Sequence, residues 1–434
     1  MINLFTGWPN PQLLPVADLA AAASTVFSTP AISTPALLYG PDPGYEPLRE
    51  HIATWLTSFY RPNDAISADR ICITGGASQN LACLLQVFSD PAYTQGVWMV
   101  APTYFLACRI MDDAGFAGRL HAVPEDAEGI DIAALRRGLQ EAQTTDEPYK
   151  KSRPWRKIYR HIIYATPTFS NPSMKVMSLR RREELVRLAR EHDALLITDD
   201  VYDFLQWPAA SASASPLSTA ALPRLVDIDR YLDGGPKDQY GHAVSNGSFS
   251  KLIGPGVRTG WAEGTPKLAF GLSQAGSSHS GGAPSHLTAA IVDQLVQGNL
   301  QEVIEKTLQP ALAARYHIAM AAVKAHLLPL GVTLPSFADE QSTQAVAGGY
   351  FIWIKLPSPL RADELAAQAL EKEEVRVAAG TLFRVGGDEK QEKVDAQNDF
   401  ADCLRICFAW EEEQKIDEGI RRLGRLIAKL TATI

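Results

Sequence analysis

The stretch Gly247-Ser248-Phe249-Ser250-Lys251-Leu252-Ile253-Gly254-Pro255-Gly256-Val257-Arg258-Thr259-Gly260-Trp261 sets one lysine behind small hydroxyl residues and seven residues ahead of an arginine, with glycines between them. Serine hydroxyls and Arg258 suit a phosphate dianion through charge-assisted hydrogen bonds. Glycines let the backbone approach a ligand closely. Lys251 is then left to condense with an aldehyde. The same residues satisfy the Ser-x-x-Lys signature of serine acyl-transfer enzymes, but that chemistry also needs Ser-Asp-Asn and Lys-Thr-Gly, and neither occurs in the chain. A Ser/Gly-rich stretch with one lysine is also the composition of an ordinary surface loop, so the rest of the chain must decide.

The 434 residues are 46% hydrophobic and 21% charged, ordinary values for folded domains and enough for a large core in two or more substructures. A net charge of −8 argues against a nucleic-acid surface or an anionic membrane as the main partner. The basic run Lys150 to Lys157 reads as a solvated loop. Cys72, Cys83, Cys108, Cys403 and Cys407 are dispersed among apolar neighbours without paired spacing, which reads as free thiols in a reducing compartment. The nine histidines show no ligand spacing, so no metal site is expected. The uncharged run between Leu19 and Pro41 carries proline and many hydroxyl residues in place of a membrane span, and Met1-Ile2-Asn3-Leu4 lacks a signal peptide's basic start. A cytosolic, cytoplasmic protein is expected.

Short apolar runs alternate with helical patterns, the mark of an α/β chain with a mainly parallel sheet. Strands are expected at 70–74, 97–101, 161–165 and 194–198, and helices at 78–88, 104–114 and 179–191. Pro208 to Pro223 and Gly386 to Asn398 read as mobile surface insertions. Gly348 to Lys355 and Cys403 to Phe408 read as alternating strands of an α+β part, with a boundary near residue 300. No internal repeat is visible.

Each strand ends where a polar motif begins, and the carboxyl edge of such a sheet is where ligands bind. Gly75-Gly76-Ala77-Ser78-Gln79 joins a strand to a helix, so free helix N–H groups and the Ser78 hydroxyl form an anion site; Ser78 as a simple N-cap is the alternative. Tyr104 after Ala101-Pro102-Thr103 also reads as core packing, and Asn171-Pro172 as a turn. Thr198-Asp199-Asp200-Val201-Tyr202 offers two carboxylates at a strand end. Arg405 sits in Leu404-Arg405-Ile406, where a salt-bridged strand arginine is the alternative.

Taken in order, these motifs resemble the class I/II aminotransferases that use pyridoxal 5'-phosphate (PLP), the fold type I group. The resemblance implies a large domain with a mainly parallel sheet flanked by helices and a smaller α+β domain: residues 1–50 as arm and part of the small domain, 51–300 as the PLP-binding domain, 301–434 as the carboxy-terminal small domain. It implies that Ser78, Gln79, Ser248, Ser250 and Arg258 hold the cofactor phosphate and that Tyr104 stacks on its ring. Asn171 and Tyr202 would bind its phenolic oxygen, and Asp199, chosen over Asp200 by its spacing to Tyr202, would pair with the ring nitrogen. Lys251 would carry PLP and, once released, move the Cα proton. Arg405 would take the substrate α-carboxylate with its guanidinium fork.

Phe5-Thr6-Gly7-Trp8-Pro9-Asn10-Pro11 resembles the segment of the aminoadipate/kynurenine/aromatic branch in which Gly7 lies at the substrate. Tyr39-Gly40-Pro41-Asp42-Pro43-Gly44-Tyr45 resembles the segment whose tyrosine, Tyr39, reaches the phosphate of the neighbouring subunit, which implies a homodimer with shared active sites. Two departures stand out: Met174 replaces an expected glycine after Asn171-Pro172-Ser173, and the Asp199–Lys251 interval is long.

Three readings follow: an aminotransferase moving an amino group from an amino acid to a 2-oxo acid, another PLP reaction such as elimination, decarboxylation or condensation, and a non-catalytic sensor. Trp8 and Leu4 near Gly7 favour aromatic or large aliphatic donors by burial, with 2-oxoglutarate as an acceptor bound through a movable arginine or water.

Overall fold

The computed structural model describes all residues except 143–147, 211–215, 280, 282–283, 337–345, 387–397 and 433–434. At its centre is an eight-stranded sheet. Its strands are β1 (Ile71–Thr74), β2 (Gly96–Ala101), β3 (Leu120–Asp126), β4 (Gly129–Ile130), β5 (His161–Ala165), β6 (Ala194–Asp199), β7 (Ala243–Ser248) and β8 (Gly260–Glu263). They lie in the order β1-β8-β7-β6-β5-β2-β3-β4. β7, β6, β5, β2 and β3 run parallel. β8 is antiparallel to both of its neighbours, and β4 to β3.

Strand alternation explains why helices cover both faces. Ile162, Tyr164, Leu195, Ile197 and Val244 pack into one core, while Ile163, Ala165, Leu196 and Ala243 pack into another. Both sides of the parallel strands are thus apolar, as buried crossover strands require. The Leu179–Glu191 helix starts where Ser178 Oγ accepts from Arg181 N at 3.2 Å. It buries Leu185, Val186, Leu188 and Ala189 against the second of these cores.

The strand β7, which leads directly into Lys251, carries a weak apolar signal. Its polar side chains are satisfied inside the fold: Asn246 Oδ1 accepts from Asn80 Nδ2 at 2.8 Å, and Ser245 Oγ donates to Asp200 at 2.5 Å. A polar strand survives burial when every group has a partner.

A second sheet contains β9 (Phe351–Lys355), β10 (Ala378–Ala379) and β11 (Cys403–Cys407), all antiparallel, in the order β9-β11-β10. The strand expected over Gly348–Lys355 is broken. Val346–Gly348 pairs with Gln206–Pro208, Gly349 turns at φ +72°, and the chain resumes at Phe351. Only glycine takes that turn without cost. The Ile2–Asn3 segment pairs in parallel with Val375–Arg376. Ile2 and Leu4 join Ile406, Ile420 and Leu423 in one core.

Two loop expectations need correction. The basic run is tied down: Lys157 Nζ lies 2.7 Å from Asp193 and 2.8 Å from Asp238, and Lys150 Nζ donates to the carbonyls of Gln86 and Ser89. The insertion at 208–223 falls partly outside the described residues, and its described part is pinned. Leu217 N donates to Gln309 Oε1 at 3.0 Å, and Ala220 N to Phe59 O at 3.0 Å. Most of Gly386–Asn398 lies outside the described residues; its end is held by Asn398, which exchanges two hydrogen bonds with the Val385 backbone.

The β7–β8 pair is packed backbone to backbone. A Cβ on Gly260 would stand 2.5 Å from Gly247 O and 3.1 Å from Gly76 Cα. Gly260→Ala is therefore expected to destabilise the protein by about 1–3 kcal/mol, read as a lower melting temperature; an unchanged melting temperature would show that these strands separate freely.

Candidate active site

The carboxyl ends of β1, β6 and β7 converge with β11 and the amino-terminal segment. Lys251 follows β7 in a short 3₁₀ turn, which Ser248 caps by accepting from Ser250 N at 3.1 Å. Its amine donates to Gly7 O at 2.7 Å and lies 5.1 Å from the Tyr350 ring centroid and 6.0 Å from that of Tyr202. Burial among these groups pushes the Lys251 ammonium down to about 8, and Arg405 adds to the shift.

Asp199 ends β6. Its Oδ2 accepts from Tyr164 OH at 2.9 Å, while Oδ1 is buried without a partner. Burial pushes its carboxyl up to about 7, with neighbouring Asp200 adding to the rise and Lys251 opposing it. Asp200 lies elsewhere: its Oδ2 accepts from Thr198 Oγ1 at 2.8 Å and from Ser245 Oγ. Behind it lies a buried ion cluster in which Arg224 meets Asp227 at 2.9 Å and Glu263 at 2.6 Å, and Tyr60 donates to Asp203 at 2.8 Å. Asp199, the carboxylate chosen by spacing, is the one that lies in the field of Lys251.

Arg405 on β11 is nearly fully buried. Nη1 donates to Asn171 Oδ1 at 2.8 Å and Nη2 to Phe5 O at 2.7 Å, while Nε has no partner. The Phe351 and Phe383 rings lie 4.0 and 4.7 Å from its Cζ. Burial lowers its pKa to about 10. Tyr104, at the start of the Phe105–Met111 helix, is pushed up to about 12 by burial and by Asp199, while Arg405 pulls it down. Tyr202 is buried with its ring 5.5 Å from that of Tyr350.

A cup forms where β1 meets the Ala77–Phe88 helix. Gly76, at φ +93°, caps that helix. Ser78 is therefore not the cap; it lies exposed in the first turn. Gln79 turns back, its Oε1 accepting from Gly75 N at 2.9 Å. Arg258 Nη2 donates to Gly75 O at 3.0 Å, and a Cβ on Gly76 would stand 3.0 Å from that nitrogen. Ser248 and Ser250 hydroxyls bond to each other at 2.9 Å. Tyr39 is the residue that a single chain does not bring in: it is 90% exposed, its ring against Gly281. Met174, at the position where a glycine was expected, adopts φ +58°, the left-handed backbone that an L side chain takes at a cost.

Tyr164, Tyr350 and the Phe351/Phe383 pair escape motif reading. Tyr164 had a usable signal, because it sits on the strand beside β6, paired with Ile197 two residues before Asp199. Tyr350 and the phenylalanines are indistinguishable from core residues in a list of letters.

The chain matches the model of the aminotransferase class I and II family over residues 3–423 and belongs to that family. It is 33% identical to an uncharacterised protein of Saccharomyces cerevisiae, over 98% of this chain and 96% of that one. It is 27% identical to aromatic-amino-acid aminotransferase 1 of Thermococcus litoralis, over 98% and 88%. Among solved structures it is similar to LysN, an α-aminoadipate aminotransferase of Thermus thermophilus complexed with N-(5'-phosphopyridoxyl)-L-leucine, with a TM-score of 0.76, 26% identity and coverage of 100% and 94%. The protein is a PLP-dependent aminotransferase of fold type I. Among the described residues no helix is long and apolar enough to cross a membrane.

The residues present fit PLP. The orphaned Asp199 Oδ1 is the acceptor that a protonated ring nitrogen needs, and the start of the Ala77–Phe88 helix beside the Arg258 guanidinium offers the donors that a phosphate needs.

The sign of the Asp199 shift yields a prediction. A carboxyl whose pKa is raised by folding contributes stability that is fully present below its ordinary 3.8 and is lost as pH rises through about 7. Cofactor-free protein is expected to lose stability across that window, and Asp199→Asn to flatten the slope in denaturant titrations at pH 5 and pH 8. An equal slope in the variant would place Asp199 in a solvated setting.

Proposed function

We propose that this aminotransferase takes its amino group from aromatic or large aliphatic amino acids and passes it to a 2-oxo acid such as 2-oxoglutarate, as a cytosolic homodimer with shared sites. The observation that carries the donor preference is the aromatic enclosure of Arg405. A guanidinium with an unpaired Nε suits a carboxylate fork. Phe351, Phe383, Tyr104 and Tyr350 stand around the Arg405–Lys251 region. Such walls gain from burying an apolar side chain, at about 25 cal/mol per Å². A relative with aromatic donors in its name and a neighbour holding a leucine adduct support the same choice.

Bound PLP would supply the aldehyde that takes the amino group and the electron-withdrawing ring that acidifies the Cα–H. The chain's residues do the rest. Arg405 would exchange Asn171 and Phe5 contacts for the substrate carboxylate and so set the direction of Cα. Lys251, held near neutrality by burial, would exist partly as the free amine at physiological pH and so accept the Cα proton. Gly7 O would hold that amine once it is released. Asp199 would face the ring nitrogen, kept in place by Tyr164, while Ser248, Ser250, Ser78 and Arg258 would line the phosphate end. Asn171 and Tyr202 would take the phenolic oxygen.

The dimer reading rests on the amino-terminal surface. Leu37, Leu38 and Tyr39 are 63%, 64% and 90% exposed, and Phe27 is 56% exposed. Such an apolar patch calls for a partner, and a second copy would carry Tyr39 toward the other phosphate cup. Buried free cysteines suit a reducing compartment.

A steady-state amino-acid panel tests the donor preference: phenylalanine, tyrosine or leucine is expected to show the highest kcat/KM, and much better values for aspartate or 2-aminoadipate would reject it. Mixing Lys251→Ala with Tyr39→Phe subunits tests the shared site. If Tyr39 works across the interface, one site of each mixed dimer is intact, and isolated mixed dimers recover about half of the wild-type activity, by site count. Verified mixed dimers of two inactive parents that stay inactive would place Tyr39 outside the partner's site.

A further inference from the structure

We infer that Asn80 and Asn246 are positioning residues for the cofactor, their buried side-chain bond fixing the glycine cup against the Asp199 end of the site. The inference rests on the reading above that the cup takes the phosphate and Asp199 the ring nitrogen. It extends that reading to two residues to which no cofactor contact is assigned.

Asn246 is the lateral neighbour of Asp199. The two are register partners on β7 and β6, and Asn246 O accepts from Asp200 N at 3.2 Å. Alternation gives Val244, Asn246 and Ser248 one face of β7, and Val244 packs there in the core that holds Leu81 and Leu84 of the Ala77–Phe88 helix. The Asn246 side chain meets the start of that helix. Its Nδ2 donates to Ala77 O at 3.1 Å, and its Oδ1 accepts from Asn80 Nδ2 at 2.8 Å. Asn80 N in turn donates to Gly76 O at 3.0 Å, so the pair grips the turn that bears the cup.

Packing alone gives no reason for this pair to be polar. Asn80 is 0% and Asn246 1% exposed, and Asn80 Oδ1 is buried without a partner. Leucines, which branch at the same atom, would fill the place without that desolvation cost. What the amides add is direction. A hydrogen bond fixes distance and angle between the groups it joins, whereas apolar burial is non-directional and lets a helix settle against a strand in several ways. A cofactor whose phosphate and ring are covalently joined needs that setting, because a displacement between the cup and Asp199 weakens the contacts at one end or the other.

Splitting the ligand separates its two ends from the spacing between them. Cofactor-stripped protein is titrated with PLP, with pyridoxal and with inorganic phosphate, and its melting temperature is measured alongside. In Asn80→Leu/Asn246→Leu, PLP binding is expected to weaken about tenfold, as when supporting groups behind a bound ligand are removed. Pyridoxal and phosphate are expected to bind as in the wild type, and the melting temperature to be kept or raised. Should the leucines crowd the helix start and lower the melting temperature, Asn80→Ala/Asn246→Val is read in the same way. Unchanged PLP affinity, or an equal loss with pyridoxal alone or phosphate alone, would overturn the inference. An Arg258→Gln control that leaves phosphate binding untouched would reject the cup reading itself, a failure distinct from those.

Discussion

Everything at this site depends on charge kept out of water at the carboxyl edge of the parallel sheet. Lys251, Asp199 and Arg405 are buried within one another's fields, and burial shifts each of them toward its neutral form. Such groups are tolerable only because hydrogen bonds hold them: Gly7 O for the amine, Tyr164 for the carboxyl, Asn171 and Phe5 for the guanidinium. The donors and acceptors left unmatched, Asp199 Oδ1 and Arg405 Nε, are the ones a cofactor and a substrate would complete. Preorganised polar groups in a dry site are what make electrostatic stabilisation large.

How much of this was legible in the chain follows from the kind of signal each part carries. The parallel strands β2, β5 and β6 announce themselves by short apolar runs, and Asp199 and Lys251 by their position just past strand ends. β7 was silent because its serines and asparagine look like loop, although Ser245 and Asn246 are satisfied by distant residues and Ser248 by Ser250. Gly349 broke an expected strand because its left-handed turn depends on Phe169 packing against it, a contact no local pattern records. Ser78 was misjudged as a possible cap because Gly76, with a positive φ, takes that place. The aromatic enclosure of Arg405 was invisible, since Phe351 and Phe383 read as ordinary core.

The ion cluster behind Asp200 shows how closely fold and chemistry are joined. Adjacent residues on one strand end face opposite duties: Asp199 looks toward Lys251, while Asp200 is absorbed by Thr198, Ser245 and the field of Arg224. A one-residue slip of β6 would exchange them, so the β5–β6–β7 register decides which carboxylate meets Lys251.

The bond between Arg405 and Phe5 spans 400 positions of the chain. The glycine cup, Asp199, Lys251 and Arg258 all lie in the first 258 residues, whereas Arg405 reaches Phe5 only after nearly the whole polypeptide has left the ribosome. On the proposed reading, the growing chain would therefore hold the parts for gripping a cofactor well before it could recognise an amino acid. A nascent protein truncated anywhere upstream of β11 would carry Lys251 without the guanidinium proposed to decide what reaches it.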